Sequence, residues 1–95
     1  MKYSFSLDIE PEDEKVFLSE VLDGTHYMPI QHNFKLQDHL SLTFTSRQGD
    51  KQTVYCMIVG RCFDGPSRVP SKIRIRALQS QKGRILDLID RLCDD

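Results

Sequence analysis

Ninety-five residues, 39% hydrophobic and 28% charged with a net charge of −1, describe one globular domain over residues 1–95 and exclude disordered, collagen-like and low-complexity classes. A chain of this length buries roughly 60–65% of its unfolded surface, enough for a single core. No apolar run reaches the ~18 residues that a bilayer span requires, so a soluble chain with no membrane span is expected.

The opening segment alternates Tyr3, Phe5, Leu7 and Ile9 with Lys2, Ser4, Ser6 and Asp8, the period of a strand with one buried face. A secretion signal would need an unbroken apolar stretch there. Pro11-Glu12-Asp13-Glu14 suits a helix start, with proline at the first position and acids complementing the helix dipole. Phe17, Leu18, Val21 and Leu22 continue at helical spacing until Asp23-Gly24, which predicts a helix over residues 11–22. Thr25 to Ile30 is a short extended piece that must lie at an edge or end at Pro29, which has no amide proton to donate.

Leu40, Leu42 and Phe44 alternate with Ser41, Thr43 and Thr45 as a strand; residues 47–51 turn, and Thr53 to Arg61 runs back to complete a hairpin. Val54-Tyr55-Cys56-Met57-Ile58-Val59 is apolar on both faces and should be the most buried strand. A loop at 63–67 leads to a strand from Arg68 to Leu78, in which Ile73, Ile75 and Ala77 alternate with Lys72, Arg74 and Arg76. Ser80 is placed to cap a last helix whose Ile85, Leu88, Ile89 and Leu92 form one apolar stripe. The order β-α-β-β-β-β-α defines a mainly β, α+β class. Four or five antiparallel strands are expected to close as a small β-barrel, with the final helix over an opening.

Charge is unevenly divided: residues 1–45 hold eight acids and three lysines, residues 46–95 ten basic residues and six acids. This argues against bulk nucleic-acid binding yet allows a local basic face. Lys72, Arg74 and Arg76 project from one side of their strand, flanked by Arg61 and Arg68, and three such cations cannot all be buried unpaired. Their face is either simply solvated or an anion site for phosphates or an acidic protein surface. Tyr27, Met28, Phe34 and Tyr55 exceed what one small core holds, so they either cover the barrel mouth or form a partner or homodimer patch.

Cys56, Cys62 and Cys93 are odd in number with no CxxC pair, which fits thiols in a reducing cytoplasm better than a secreted disulfide framework. Cys56, inside an apolar run, reads as a small core residue. His26, His32 and His39 lack the close pairing of zinc ligands, and no metal or cofactor is expected. The sequence contains no G-x-S-x-G, H-E-x-x-H, P-loop or dinucleotide fingerprint. Asp23, Asp38 and His26 are assigned to turns, where such residues serve backbone hydrogen bonding. The expectation is a protein that is not an enzyme.

From residue 16 onward the chain resembles a PilZ domain, the small bacterial β-barrel associated with cyclic di-GMP signalling. Leu22-Asp23-Gly24-Thr25-His26-Tyr27-Met28 lies where that family carries D/N-x-S-x-x-G, and residues 34–42 resemble its turn-then-strand x-L-G-D-x-V-x-L. Thr53 to Arg61 resembles the v-x-G-x-V strand, and a further strand precedes the helix ending Ile89-Asp90-Arg91-Leu92. The departures are specific. No arginine precedes Arg47, so the R-x-x-x-R segment that clasps cyclic di-GMP is missing, and lysine lacks the planar guanidinium fork. The motif serine survives only as Thr25, and its glycine is Met28, which forbids the unusual backbone or close ligand approach that glycine permits.

The resemblance therefore implies a regulatory or adaptor domain acting through a partner protein, in motility or related regulation, without the usual nucleotide site. The alternative is a receptor for cyclic di-GMP or a similar nucleotide, using Arg61, Arg68, Arg74 and Arg76. Nucleic-acid binding is disfavoured because Lys72-Ile73-Arg74-Ile75-Arg76 interleaves no aromatic residue.

Overall fold

The structure, a computed structural model, describes residues 2–30 and 32–93. Strand β1 (Lys2–Leu7) precedes a 3-10 turn (Pro11–Asp13) and helix α1 (Glu14–Asp23), so the proline-led start makes one tight turn before the α-helix proper. Gly24 closes that helix with φ of 77°, and its amide and that of Thr25 both donate to the Glu20 carbonyl. This left-handed closure suits glycine, which carries no Cβ to obstruct it. Strands β2 (His26–Met28), β3 (His39–Thr45), β4 (Lys51–Cys62) and β5 (Lys72–Ala77) follow, then a second 3-10 turn (Gln79–Gln81) and helix α2 (Lys82–Cys93).

The element order is the expected one, but the sheet does not close. Its five strands lie in the order β1-β3-β4-β5-β2, and β1 runs parallel to β3 while the other pairs are antiparallel. Helix α1 and strand β2 intervene between β1 and β3, and a connection that long permits a parallel neighbour where a tight turn would not. β1 and β2 thus become opposite edges with no hydrogen-bonded ladder between them. β2 stops after three residues at Pro29, which has no amide proton to continue a ladder. An open α+β sheet replaces the expected antiparallel barrel.

Three local expectations are also corrected. β5 begins at Lys72 rather than Arg68: Pro70 is buried just ahead of it, and the Ser71 amide and hydroxyl both donate to the Cys62 carbonyl. Ser80 does not cap α2; it lies inside the second 3-10 turn, whose N-cap is Leu78. Phe34 and Met28 are not surplus to the core but buried in it, at 0% and 3% exposure.

Leu40, Leu42 and Phe44 from β3, Val54, Cys56 and Ile58 from β4, and Ile73, Ile75 and Ala77 from β5 line one face of the sheet. Helix α1 lays Phe17, Leu18 and Val21 into this layer, packing against β5 and β2, and α2 lies against α1 with Ile85 buried. Among the described residues no helix covers the other face. The β3–β4 turn is fixed by the Ser46 amide donating to the Asp50 carbonyl at 2.7 Å and by Gly49 at φ of 93°. Arg84 ties α2 to β4 through the Thr53 carbonyl and the Gln52 side chain, and Arg47 donates to the Leu92 carbonyl at the other end of α2. Among the described residues no helix is long and apolar enough to cross a membrane.

Two outcomes follow from this packing. Glu14 is the one charged side chain among the buried described residues, and its Oε1 accepts the Arg47 amide at 2.7 Å. Glu14→Ala strands that amide and should cost about 1–3 kcal/mol, read as a lower urea midpoint with unchanged slope. Burial pushes the Cys56 thiol up from 9.0 to about 12. The unfolded chain therefore loses this proton first, and the stability contributed by the neutral thiol falls as pH rises from 9 toward 12. The loss should approach about 1.4 kcal/mol per pH unit and be missing from Cys56→Ala, measured by denaturant titrations at successive pH values.

Candidate functional site

The alternation in β5 places Lys72, Arg74 and Arg76 on the uncovered face, opposite the buried Ile73, Ile75 and Ala77. The register extends this face sideways. Met57 opposes Arg76, Ser41 opposes Tyr55 and Thr43 opposes Thr53, while Ser4 and Ser6 of β1 stand beside Ser41 and Thr43. Hydroxyl pairs knit the polar half: Ser41 donates to Ser4 at 3.0 Å, and the Thr43 and Thr53 hydroxyls lie 2.9 Å apart. Tyr55, 48% exposed on the central strand, borders a depression of about 350 Å³ walled by Ser4, His39, Ser41 and Leu78.

The five cations expected to act together have three different fates. Lys72 is exposed, its Nζ 5.6 Å from the Tyr27 ring centroid, and Tyr27 is itself half exposed. Arg76 is exposed, its stem would lie 3.1 Å from a Cβ on Gly24, and its guanidinium has no hydrogen-bond or ion-pair partner among the described residues. Arg74 is committed to the fold: Nη1 donates to the Gly24 carbonyl at 2.6 Å and Nη2 to the Val59 carbonyl at 3.3 Å. It thereby ties the end of α1 to β4 across β5. A Cβ on Gly60 would lie 3.0 Å from the Arg74 Nε, so glycine there is what lets the side chain lie flat.

Arg61 leaves the face altogether. Ile58 pairs with Ile75 and Gly60 with Arg74, so Val59 is one residue too many for the ladder, a bulge that shifts all later side chains by one position. Arg61 consequently opposes Ile73, donates to the Phe34 carbonyl at 3.2 Å and sits 5.5 Å from the Phe63 ring centroid. Arg68 lies in the exposed loop before β5. Of the five cations, Lys72 and Arg76 are the two left exposed on this face, with Tyr27 and Tyr55 on the same side.

The loop carrying the degenerate D/N-x-S-x-x-G pattern does not converge on one point. Asp23 ends α1 and is exposed, Thr25 is exposed, and Met28 turns inward opposite Ile73 at 3% exposure. His26 belongs to β2 rather than a turn, with Nδ1 3.1 Å from Glu20 Oε1 and its ring edge-on to Phe17. Asp38 does serve a turn, accepting the Lys35 amide at 2.9 Å. Among the described residues no group of three His, Cys, Asp or Glu side chains is placed to hold a metal ion, and no buried side-chain nitrogen or oxygen lacks a partner.

Sequence reasoning missed a second concavity, of about 640 Å³, between the two sheet edges. β1 and the residues after it form one wall, β2 to Ile30 the other, and the first turns of α1 its end. The only sequence signal was the clustering of acids around the two edge segments.

Arg74→Ala removes both bonds from a half-buried guanidinium and should cost about 1.5–3 kcal/mol, whereas Arg76→Ala should stay within about 0.5 kcal/mol, by thermal or urea unfolding. The chain matches no known protein family and none of the curated proteins with which it was compared.

Proposed function

We propose that this chain is a non-enzymatic binding module that contacts an acidic surface of a partner protein through the uncovered side of its sheet. The supporting observation is that face itself: two exposed cations, Lys72 and Arg76, and two half-exposed tyrosines, Tyr27 and Tyr55, on strands held rigid from behind by the whole core. Tyrosine and arginine are the side chains that interfaces enrich, because they bring large contact area at low entropic cost. Action through a partner protein is also what the PilZ resemblance implies for a chain without the arginine clasp, in regulation or motility.

The nucleotide-receptor alternative needed Arg61, Arg68, Arg74 and Arg76 together. Arg61 lies on the other side of the sheet and Arg74 is engaged with two carbonyls, which leaves too few guanidinium groups for two phosphates and two bases. One observation favours a nucleic-acid platform: aromatic residues do accompany the cations, across strands rather than along one. Yet Tyr27 opposes Arg74 whereas the Tyr55 carbonyl bonds to the Leu78 amide, four residues further on. That offset is about 13 Å along the strand direction, too far for neighbouring bases to stack on both rings.

The test is co-purification from a lysate of the source cells with the wild-type chain and with a Lys72→Glu, Arg76→Glu double variant. A partner retained by the wild type should fall at least tenfold with the double variant and persist with Arg68→Glu. Calorimetric titration with cyclic di-GMP should show no saturable heat. Micromolar binding that the double variant abolishes would replace this reading with the nucleotide receptor, and oligonucleotide binding with a steep salt slope would replace it with the nucleic-acid platform.

A further inference from the structure

The cavity between the sheet edges is lined by Tyr27 of the exposed face but otherwise by residues that the proposal above does not use. Its walls are strand edges: β1 has only β3 as a partner and β2 only β5, and among the described residues no other backbone hydrogen bond reaches β1. The free side of β1 keeps amides and carbonyls available for another ladder. Such an edge recruits an extended chain unless it is covered or carries a repelling charge. The cavity floor is apolar, formed by Phe5, Leu7, Ile9, Phe17 and Met28. Asp8, Glu10, Asp13 and Glu20 stand among the lining residues, and no lysine or arginine does. Asp8, Glu10 and Asp13 are exposed, and 44% of the Glu20 side chain is accessible although it meets His26.

We infer that this groove takes an extended segment of a partner protein in which apolar residues alternate with lysine or arginine, added as a further strand along the free side of β1. Alternation is what the geometry asks for: successive side chains of an added strand point to opposite sides, so one set enters the apolar floor while the other meets the carboxylate rim. An acidic segment would meet four carboxylates with no cation to offset them. A second copy of this chain fits less well, because its own alternating basic segment, Lys72 to Ala77, is already paired on both sides within the sheet.

The test is selection from a random dodecapeptide library displayed on phage against the intact chain. Enriched peptides should alternate Lys or Arg with Val, Ile, Leu or Phe. In two-dimensional NMR they should shift the amides of residues 3–9, 26–28 and 30. Asp8→Lys, Glu10→Lys, at two exposed positions, should weaken them at least tenfold with the circular dichroism spectrum unchanged. Arg76→Glu, at a residue that does not line the groove, should leave them unaffected, which separates this site from the one proposed above. Failure to enrich any peptide, enrichment of acidic or non-alternating peptides, or affinity indifferent to the Asp8/Glu10 reversal would overturn the inference. So would a concentration-dependent dimer abolished by that reversal, which would make a second copy the occupant.

Discussion

Both helices share one side of the sheet, and the rest of the molecule is arranged around that constraint. Among the described residues fifteen hydrophobic side chains are buried, every one of them in the layer between sheet and helices or in the connections that border it. No described helix covers the reverse of the sheet, and most of the side chains there are polar. Serine and threonine occupy it toward β1, and lysine and arginine toward β5.

Arg74 illustrates how closely function and scaffold are interleaved on that surface. It has the same alternation and almost the same sequence neighbourhood as Arg76, yet it acts as an internal strap joining the end of α1 to β4. A bare Gly60 and the carbonyl of a left-handed Gly24 create the berth for it. The missing Cβ at Gly60 thus gives Arg74 the room to lie flat, while Arg76 stays exposed.

What could be read from the sequence was whatever depends on near neighbours. Strict alternation in Leu40-Ser41-Leu42-Thr43-Phe44 and in Lys72–Ala77 fixed both the strands and the sidedness of the cations, and Pro29 announced a truncated edge. Pairing between distant segments was not legible. Nothing in Lys2–Leu7 distinguishes a parallel neighbour from an antiparallel one, and that single choice separates an open sheet from a barrel. The displacement of Arg61 was legible in principle, since an isolated glycine inside a strand is a bulge signal and Gly60 is one. Beyond a clustering of acids the inter-edge groove left no mark on the sequence, because its walls come from segments that no local pattern connects.

The strand order also sets a sequence of events. β3 and β4 pair across a turn that brings Thr45 opposite Lys51, six residues away, whereas β1 waits for a partner 37 residues on, Lys2 to His39, and β2 for one 49 residues on, His26 to Ile75. Closing the longer loops costs more chain entropy, so the central hairpin can nucleate first and the outer strands dock onto it afterward. During synthesis both outer strands exist before their partners have been made. In the finished molecule those same margins, each paired on one side only, are where the backbone should breathe and exchange its amide protons soonest.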